Sequence, residues 1–394
     1  MEDFKCCTGN FTCTRENPLH KQMEQIYDDN MCFYELSITG YLGAEDLLWL
    51  TELAQGWFLQ KIDLSGVTEM ETKGLEDLID DGEGLGHGIP FFQSNCLEEI
   101  ILPQVDTIDV PMFIECNYLR KVAIPKTLRH LEHAVFQDCP NIEEIYVPSD
   151  LKLRTSHHWS ETSFPSLSFA GSGKQFISDN EGWPEKLEKD SFFAFDGVLY
   201  YYSKNMDDIE LYRYPAGDER TEFVIPEGVK EICNEAFYKN QHLKRVVIPS
   251  SVWFFNECPF ACCHELETIV FKQNNRLIHI SYPGYDFEEV INEVFKVTSY
   301  DNSDYVYQVG LIDLPNLKHI YLYAEKPEGV CFDMFNGLSN LGEVTLHVPC
   351  SSKKAYEDFE VEWFGYDGGN RHTEKSYRRF HHIEEFDPLD LQDE

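Results

Sequence analysis

A short pattern of apolar positions recurs along the chain, in which a leading Leu or Ile is followed three and five residues later by two more apolar residues. Its copies are Leu59-Ile62-Leu64, Leu97-Ile100-Leu102, Leu119-Val122-Ile124, Ile142-Ile145-Val147, Leu243-Val246-Ile248, Leu266-Ile269-Phe271, Leu317-Ile320-Leu322 and Leu341-Val344-Leu346. The leading residues at positions 97, 119 and 142 are 22 and 23 residues apart. Alternation inside each copy predicts a short strand with one buried face. Repetition at this spacing predicts stacked turns that bury one another's apolar edges.

A second pattern keeps the same register between the strands. A Phe stands six residues before the next leading residue at positions 113, 136, 237 and 260, and the residues three positions after these are Cys116, Cys139, Asn240 and Cys263. Small side chains that form hydrogen bonds suit a buried position where the backbone bends between strands. We therefore predict that this column of three Cys and one Asn is structural.

The two best-defined stretches, residues 119–148 and 223–252, share the succession IP, a Leu or Val, an Ala one or two positions before a Phe, a Cys or Asn, and a Leu or Ile. They resemble the BspA-like family of leucine-rich repeats. The motif at 196–200 (DGVLY) with that at 214–217 (YPAG) resembles a hairpin common in the family, and the stretch from Leu346 to Ile383 resembles its C-terminal cap. The resemblance covers residues 36–386. Asn240 in place of Cys, Pro259 in place of Ala and a long insertion at 272–316 depart from the pattern.

Pattern and resemblance together predict an α/β fold, a right-handed leucine-rich-repeat solenoid of short parallel strands with N- and C-terminal caps and a hairpin insertion. A strand at 36–38 and a helix at 44–54 belong to the first cap. The expected division is a lead-in (1–35), the N-terminal cap and first strand (36–89), repeat block one (90–148), an insertion with the hairpin (149–222), repeat block two (223–271), an insertion (272–316), the last repeats and C-terminal cap (317–386) and an acidic tail (387–394).

Charge and cysteine content narrow the possible partners and compartments. The chain has 32 Lys and Arg against 70 Asp and Glu, a net charge of -38. Such a surface repels phosphate backbones and anionic lipid, so we predict no nucleic-acid partner and no membrane insertion. The charge itself fits either solubility or attraction of a basic partner.

The first 20 residues have no apolar core of a signal peptide, which predicts a cytoplasmic protein, or a surface or secreted one if an export signal was removed. Thirteen dispersed cysteines predict reduced thiols.

Several short motifs could be mistaken for chemical sites. The glycines at 82–88 and the stretch Gly171-Ser172-Gly173-Lys174 lack the spacing of phosphate-binding loops, and we interpret them as loops. Cys262-Cys263-His264 places thiols beside an imidazole, but Cys263 belongs to the structural column. A zinc site at Cys6, Cys7, Cys13 and Cys32 is an alternative without the paired CxxC spacing. We therefore predict no enzyme activity, no catalytic residue, no metal and no cofactor.

The residues two and four positions after each leading residue should face the open, concave side of the stack. The fourth position is unusually apolar, with Ile101, Tyr146, Val247, Val270 and Tyr321. One interpretation is that such residues simply suit flat parallel strands. The other is a protein-binding strip anchored by the two tyrosines, because aromatic residues often dominate interface energy.

The resemblance favours a non-catalytic protein-interaction or adhesion role, since many relatives are bacterial surface or secreted proteins that contact host proteins or other cells. A protein partner is therefore expected. The alternative is a glycan-binding or glycan-associated protein. Its support is a set of aromatic residues in the later part of the chain, namely Tyr282, Tyr285, Tyr300, Tyr305 and Trp363.

Overall fold

The computed structural model describes residues 5–26, 31–75, 89–132, 134–153, 167–180, 182–184, 189–204, 207–256, 258–272, 279–281, 310–330, 332–335, 337–364 and 371–390. These residues form two compact units. The first unit comprises the described residues within Met1–Ser156, Pro165–Tyr202 and Arg213–Asp218, and the second comprises those within Ser203–Tyr212 and Glu219–Glu394. The glycine stretch at 82–88 and most of the insertion at 272–316 lie outside the described residues.

Short parallel strands dominate the first unit. Its strands are β1 (Lys5–Cys13), β2 (Met31–Leu42), β3 (Lys61–Met70), β4 (Glu99–Ile101), β5 (Thr107–Ile108), β6 (Lys121–Ala123), β7 (His130–Leu131), β8 (Ile145–Val147), β9 (Lys152–Leu153), β10 (Phe176–Ser178), β11 (Ser191–Phe195) and β12 (Val198–Ser203). The main sheet has the order β1-β2-β3-β4-β6, and β8 pairs with β10. The Glu143 N–H donates to the Arg120 carbonyl at 2.9 Å, which continues the stack from β6 towards β8.

The predicted triplets form the interior of these turns. Leu97, Ile100 and Leu102 are at most 1% exposed, as are Ile142, Ile145 and Val147. Every register position inside the main sheet is parallel, with Ile62 opposite Ile100 and Ile100 opposite Val122. Each strand therefore places its apolar residues directly above those of the previous turn, where burial of a Leu or Ile side chain contributes roughly 1.5–3 kcal/mol.

Each turn also has a second short strand that the triplet pattern did not reveal. The strands β5, β7 and β9 form a separate parallel sheet, in which Thr107 and Ile108 pair with His130 and Leu131. Ile108 and Leu131 are 1% exposed. The apolar residues after each strand-ending Pro are thus the interior of another strand layer.

Regular secondary structure begins earlier in the chain than the sequence suggested. The strands β1 and β2 pair in parallel within the expected lead-in, and β2 runs well beyond the predicted three residues. The predicted helix is confirmed as α2 (Ala44–Gln55), preceded by α1 (Leu19–Ile26). The buried Asp46 carboxylate accepts the Gly43 N–H at 3.0 Å and the His20 N–H at 2.8 Å, so it both caps α2 and holds the start of α1.

A hairpin follows the first repeat block, as the motif at 196–200 predicted. The strands β11 and β12 are antiparallel, with Phe195 opposite Val198 and Asp196-Gly197 at the turn. Both turn residues have positive φ, 52° for Asp196 and 74° for Gly197, as a tight two-residue hairpin requires.

The second unit repeats the two-layer arrangement. Its strands are β13 (Asp208–Arg213), β14 (Glu222–Val224), β15 (Val229–Ile232), β16 (Arg245–Ile248), β17 (Phe254–Asn256), β18 (Thr268–Phe271), β19 (His279–Ser281), β20 (His319–Leu322), β21 (Thr345–Pro349), β22 (Val361–Phe364), β23 (Arg371–Glu374) and β24 (His382–Phe386), with the helix α3 (Lys353–Asp358). The parallel sheet β14-β16-β18-β20-β21-β24 forms one layer, and β13, β15, β17 and β19 belong to the other.

The register of the last repeat differs from the prediction. Leu341 lies in a short 3-10 helix (Leu341–Glu343), and Thr345 pairs with His319 at the second position. His347, opposite Tyr321, therefore takes the fourth position that the sequence pattern gave to Thr345. The predicted triplet slipped by two residues because the 3-10 turn inserts extra backbone before the strand.

Candidate functional site

The column of Cys and Asn residues is buried, and its side chains form hydrogen bonds with the backbone. Cys116, Cys139, Asn240 and Cys263 are all 0% exposed. The thiols donate to the Phe carbonyl of the preceding turn: Cys116 to Phe91 at 2.9 Å, Cys139 to Phe113 at 3.0 Å and Cys263 to Phe237 at 2.9 Å. Burial raises the pKa of the Cys139 and Cys263 thiols, which keeps them protonated as donors.

Asn240 serves the backbone in another way. Its side-chain oxygen accepts the N–H groups of His242 and Leu243 at 2.9 and 2.8 Å. In the turn with Cys263 the equivalent N–H of Leu266 donates to the Cys263 backbone carbonyl at 3.1 Å. An amide oxygen at this position therefore takes over a turn hydrogen bond that the backbone makes elsewhere.

Two serines extend the column beyond what the sequence pattern predicted. Ser94 and Ser172 also stand three residues after a buried Phe, and their hydroxyls donate to the carbonyls of Phe91 and Phe136. Ser172 belongs to the stretch that resembled a phosphate loop, and it is 0% exposed. The signal that could have found both serines was the Phe three residues before each.

The buried Phe residues form a ladder of rings in each unit. In the first unit the ring centroids of Phe91 and Phe113 are 4.6 Å apart, and those of Phe113 and Phe136 are 5.0 Å apart. In the second unit Phe237 and Phe260 stack at 4.7 Å. In the first unit Phe91, Phe113 and Phe136 have positive φ angles of 61°, 57° and 55°, a conformation uncommon outside glycine.

The fourth-position column, the surface predicted to bind a partner, differs between the units. In the first unit its members are Asp63, Ile101, Ala123 and Tyr146, which pair in register across β3, β4 and β6 as far as Ala123. Ala123 is exposed and the other three are half-buried. Ile101, Ala123 and Tyr146 therefore form an accessible apolar strip on this strand face.

Tyr146 is held in place by two charged side chains. Its hydroxyl donates to Asp179 Oδ1 at 2.7 Å, and Lys126 Nζ lies 5.5 Å from its ring centroid and 3.3 Å from the same Asp179 oxygen. The hydrogen bond from Tyr146, assisted by Lys126, lowers the pKa of Asp179, whereas burial and the Asp179 charge raise the pKa of Tyr146. The ring is thus a half-buried aromatic surface with a fixed orientation.

Charges alternate beside this strip at the second position. Glu35, Lys61, Glu99 and Lys121 are successive partners in the strand register. Lys61 Nζ lies 3.5 Å from Glu35 Oε1 and 3.3 Å from Glu99 Oε1. Hydrogen bonding to Glu99 raises the pKa of Lys61 above its ordinary value. The row is a self-paired polar border, so it contributes little net charge of either sign.

In the second unit the fourth-position column begins with the exposed Val224 and is then covered by the protein itself. Val247 and Val270 are 2% and 1% exposed, so the expectation that they face an open surface is wrong. They form one cluster with Tyr323, against which Tyr321 and Phe386 pack. We call Tyr321, Tyr323, His347 and Phe386 the aromatic cover.

The aromatic cover is closely packed. The rings of Tyr321 and His347 are stacked with centroids 4.1 Å apart, and Phe386 meets Tyr321 edge-on at 5.3 Å. The Tyr323 hydroxyl donates to the Pro388 carbonyl at 3.4 Å. Tyr321 is half-buried within this cluster, and one of its faces is already occupied by the His347 ring.

The thiol and imidazole motif at 262–264 does not have the arrangement of a nucleophile and its base. Cys263 points into the core, whereas Cys262 and His264 lie outside it. The His264 Nε2 atom is 2.9 Å from Asp313 Oδ2. Burial, with a hydrogen bond to Asp313, raises the pKa of Cys262 to about 11. At neutral pH this side chain is therefore a thiol, and the nucleophilic thiolate is scarce.

The N-terminal cysteines do not share one environment. Cys32 is disulfide-bonded, which corrects the expectation of reduced thiols for this residue. Cys7 and Cys13 are free, and the Cys7 thiol donates to the Cys32 carbonyl at 3.6 Å. A disulfide sulfur is unavailable as a thiolate ligand, so the alternative of a zinc site formed by all four cysteines is wrong.

Comparison with known proteins confirms the predicted repeat family. The model of the BspA type leucine rich repeat region matches residues 89–180 and 207–298, in six copies. These two segments are BspA-type leucine-rich repeats, and together they make up 184 of the 394 residues. Repeats of this family generally mediate protein interactions rather than catalysis, and their proteins are typically at the cell surface or secreted. No curated protein sequence shows a significant match to the chain.

Three solved bacterial structures match most of the chain at low sequence identity. A leucine rich cell surface protein from Faecalibacterium prausnitzii A2-165 is 16% identical, with a TM-score of 0.42, over 90% of this chain and 78% of that one. The pneumococcal vaccine antigen PcpA is 16% identical, with a TM-score of 0.37, over 82% and 76%. A leucine-rich repeat protein from Eubacterium ventriosum ATCC 27560 is 14% identical, with a TM-score of 0.35, over 89% and 76%.

Proposed function

We propose that the protein is a non-catalytic adhesion or interaction protein that binds a protein partner on the first-unit strand face. The observation that carries this proposal is the immobilised, half-buried Tyr146 ring at the end of an accessible apolar strip. Aromatic side chains with few rotatable bonds lose little entropy on binding, and they are enriched among the residues that dominate interface energy.

The surroundings of the strip define the kind of surface a partner would meet. Ile101 and Ala123 supply an apolar floor, and the paired charges of Lys61 and Glu99 form its border. An apolar centre with a polar rim is the usual anatomy of a protein interface. Because the border charges already pair with one another, we expect the apolar centre to supply most of the affinity.

The experiment compares the full chain with a Tyr146→Ala variant. Partners are captured from the native environment, identified, purified and titrated against each variant. Loss of an aromatic anchor costs about 2 kcal/mol or more, which corresponds to a Kd raised roughly 30-fold. An unchanged Kd for the Tyr146→Ala variant would contradict the proposal.

A matched control is available in the same unit. Tyr118 is 57% exposed and lies outside the fourth-position column. The Tyr118→Ala variant should bind the partner as the unaltered chain does, and it removes an exposed tyrosine of the same size. Equal losses for both variants would indicate a general effect of tyrosine removal and would argue against this site.

We further propose that the protein acts outside the cytoplasm, in place of the cytoplasmic location that its first 20 residues predicted. The support is its family and the disulfide at Cys32, since disulfides persist in oxidising compartments. None of the helices within the described ranges has the length and apolar composition of a membrane-spanning segment. Fractionation of the native cells should find the chain in the surface or secreted fraction, and recovery in the cytosol would contradict this location.

Glycan binding stays a prediction. Tyr282, Tyr285, Tyr300 and Tyr305 lie outside the described residues, and of Trp363 only the backbone position in β22 is described. A glycan array with the full chain separates this alternative from a protein partner.

A further inference from the structure

We propose that Cys262, His264 and Asp313 form a binding site for a zinc-class transition-metal ion in the second unit. The site is separate from the fourth-position column, and the inference does not rest on the proposed function. It comes from the way two successive turns bring three different ligand types together.

The repeat register explains why these residues meet. Cys262 and Asp313 stand four residues before the leading residues Leu266 and Leu317, so they occupy the same outer position in successive turns. His264 lies two residues after Cys262, beyond the buried Cys263, and therefore returns to the same outer side. The His264 and Asp313 side chains are 46% and 54% exposed, and Cys262 is half-buried. An ion can therefore reach the group from solvent.

The spacing of the ligand atoms fits a single ion. One atom from each of Cys262, His264 and Asp313 lies within 4.8 Å of the other two. Zinc bonds of about 2.0–2.3 Å place tetrahedral ligand atoms roughly 3–4 Å apart. The His264 Nε2 and Asp313 Oδ2 atoms, now 2.9 Å apart, need to separate only slightly. The Asn316 side-chain amide donates to the His264 carbonyl at 2.9 Å and holds that backbone in place.

The mixture of ligands selects the class of ion. Sulfur, imidazole nitrogen and carboxylate oxygen together suit Zn²⁺ and its chemical relatives, whereas Ca²⁺ and Mg²⁺ prefer all-oxygen sites. Three protein ligands leave a fourth position for water or for a group from another molecule. Ligands from two turns also mean that the ion would join neighbouring repeats.

The same outer position elsewhere does not offer this combination. Gln93, Glu115 and Asp138 occupy it in the first unit, and Lys239 occupies it in the preceding turn of the second unit. The ligand set is therefore a property of this pair of turns and not of the repeat. A second grouping, Glu210 with Glu231 and Cys233, has no imidazole and is more buried, so it does not carry a similar proposal.

The test uses the full chain after treatment with a chelator, titrated with Co²⁺ as a spectroscopic substitute and with Zn²⁺ against a chromophoric competitor. The unaltered chain should bind one ion and show a thiolate-to-cobalt charge-transfer band. Cys262→Ser should abolish that band. His264→Ala and Asp313→Asn should weaken Zn²⁺ binding by about 100-fold or more, because loss of a direct ligand exceeds loss of an outer-shell partner.

Two cysteines serve as controls for the thiolate signal. Cys258 is a half-buried thiol four residues before Cys262, and Cys350 is an exposed thiol. Cys258→Ser and Cys350→Ser should leave the band and the Zn²⁺ affinity unchanged. Zn²⁺ should also raise the melting temperature of the unaltered chain but not of Cys262→Ser. Absence of the band in the unaltered chain, or its persistence in Cys262→Ser, would overturn the proposal.

Discussion

The two units use one strand register but end with different surfaces at the fourth position. In the first unit Ile101 and Ala123 remain accessible beside Tyr146, whereas in the second unit Val247 and Val270 are buried beneath the aromatic cover. The strand sequences are similarly apolar at this position. The difference comes from Tyr323 and Phe386, two residues beyond the fourth position of their own strands, which fold back over the column.

This comparison shows that an apolar column on a repeat face can be either buried by the chain or left accessible. It can be completed by the chain itself, in which case it is core, or it can stay open, in which case it is available to a partner. Exposed apolar patches on soluble proteins often mark interaction sites. The first unit therefore carries the proposed site, and the second unit shows what the same column is like when it is already filled.

The largest effect is expected at the Phe ladder. Phe113 lies between Phe91 and Phe136 and keeps a positive φ, so its ring packing must stabilise an uncommon backbone conformation. Phe113→Ala should lower the free energy of unfolding by about 3–5 kcal/mol through the cavity it leaves. Denaturant unfolding measures the loss, and a Phe113→Ala variant as stable as the unaltered chain would contradict the role of the ladder.

The second-largest loss of stability is expected at Asn240. Asn240→Ala removes the acceptor of the buried Leu243 N–H and of the partly buried His242 N–H, and leaving these donors unsatisfied costs roughly 2–3 kcal/mol. Cys139→Ala removes the donor to one carbonyl, with an expected cost of about 1 kcal/mol. Hydrogen exchange of the amides of His242 and Leu243 localises the first effect. Asn240→Ala that is no more destabilising than Cys139→Ala would show that the two column chemistries are equivalent.

Opening the aromatic cover should make the second unit resemble the first. Phe386→Ala removes a half-buried ring that packs on Tyr321 and Tyr323, at a cost of about 1–2 kcal/mol. The variant should bind a hydrophobic dye more strongly than the unaltered chain, because Val247 and Val270 become accessible. Leu389→Ala is the control, since Leu389 is a nearby residue that is already 65% exposed. Unchanged dye binding in Phe386→Ala would contradict the assigned role of the cover.

The smallest effect concerns a carboxyl group of the other strand layer in the second unit. Burial, with the neighbouring Glu210 charge, raises the pKa of Glu231 to about 8. Because the folded state holds this proton up to a higher pH than the unfolded chain, stability falls as pH rises from about 4.5 to about 8. Glu231→Gln should remove that decline and raise the free energy of unfolding at pH 8 by on the order of 1 kcal/mol. A variant with the same pH dependence as the unaltered chain would contradict the shifted pKa.

Local patterns in the sequence predicted the repeat and its interior. The period-two triplets identified the main strands. The Phe and Cys positions identified the ring ladder and the column of side chains that form hydrogen bonds with the backbone. These features depend on neighbours one turn away, which the repeat itself specifies. The second strand layer escaped prediction because its strands at Thr107–Ile108 and His130–Leu131 are too short for alternation to be recognised.

Such local patterns did not predict which residues of the fourth-position column are buried and which are exposed. Val247 looks exposed in its own repeat, and it is buried by residues from later strands, namely Tyr323 and Phe386. Likewise, Asp179 is far from Tyr146 in sequence and fixes its hydroxyl through the pairing of β8 with β10. Cys262 and Asp313 meet across an insertion whose length hides their common repeat position. Tertiary contacts of this kind decide which apolar residues remain available.

The most direct test of the account introduces a charge at the fourth position of each unit. Ile101 belongs to the open strip of the first unit, and Val224 is a 53% exposed residue at the same position of the second unit. The Kd of the identified partner is measured for the unaltered chain, for Ile101→Glu and for Val224→Glu. We predict that Ile101→Glu raises the Kd by tenfold or more, since an unpaired charge at an interface centre costs more than about 1.4 kcal/mol, and that Val224→Glu leaves it unchanged. Full binding by Ile101→Glu, or a loss confined to Val224→Glu, would contradict the assignment of function to the first unit.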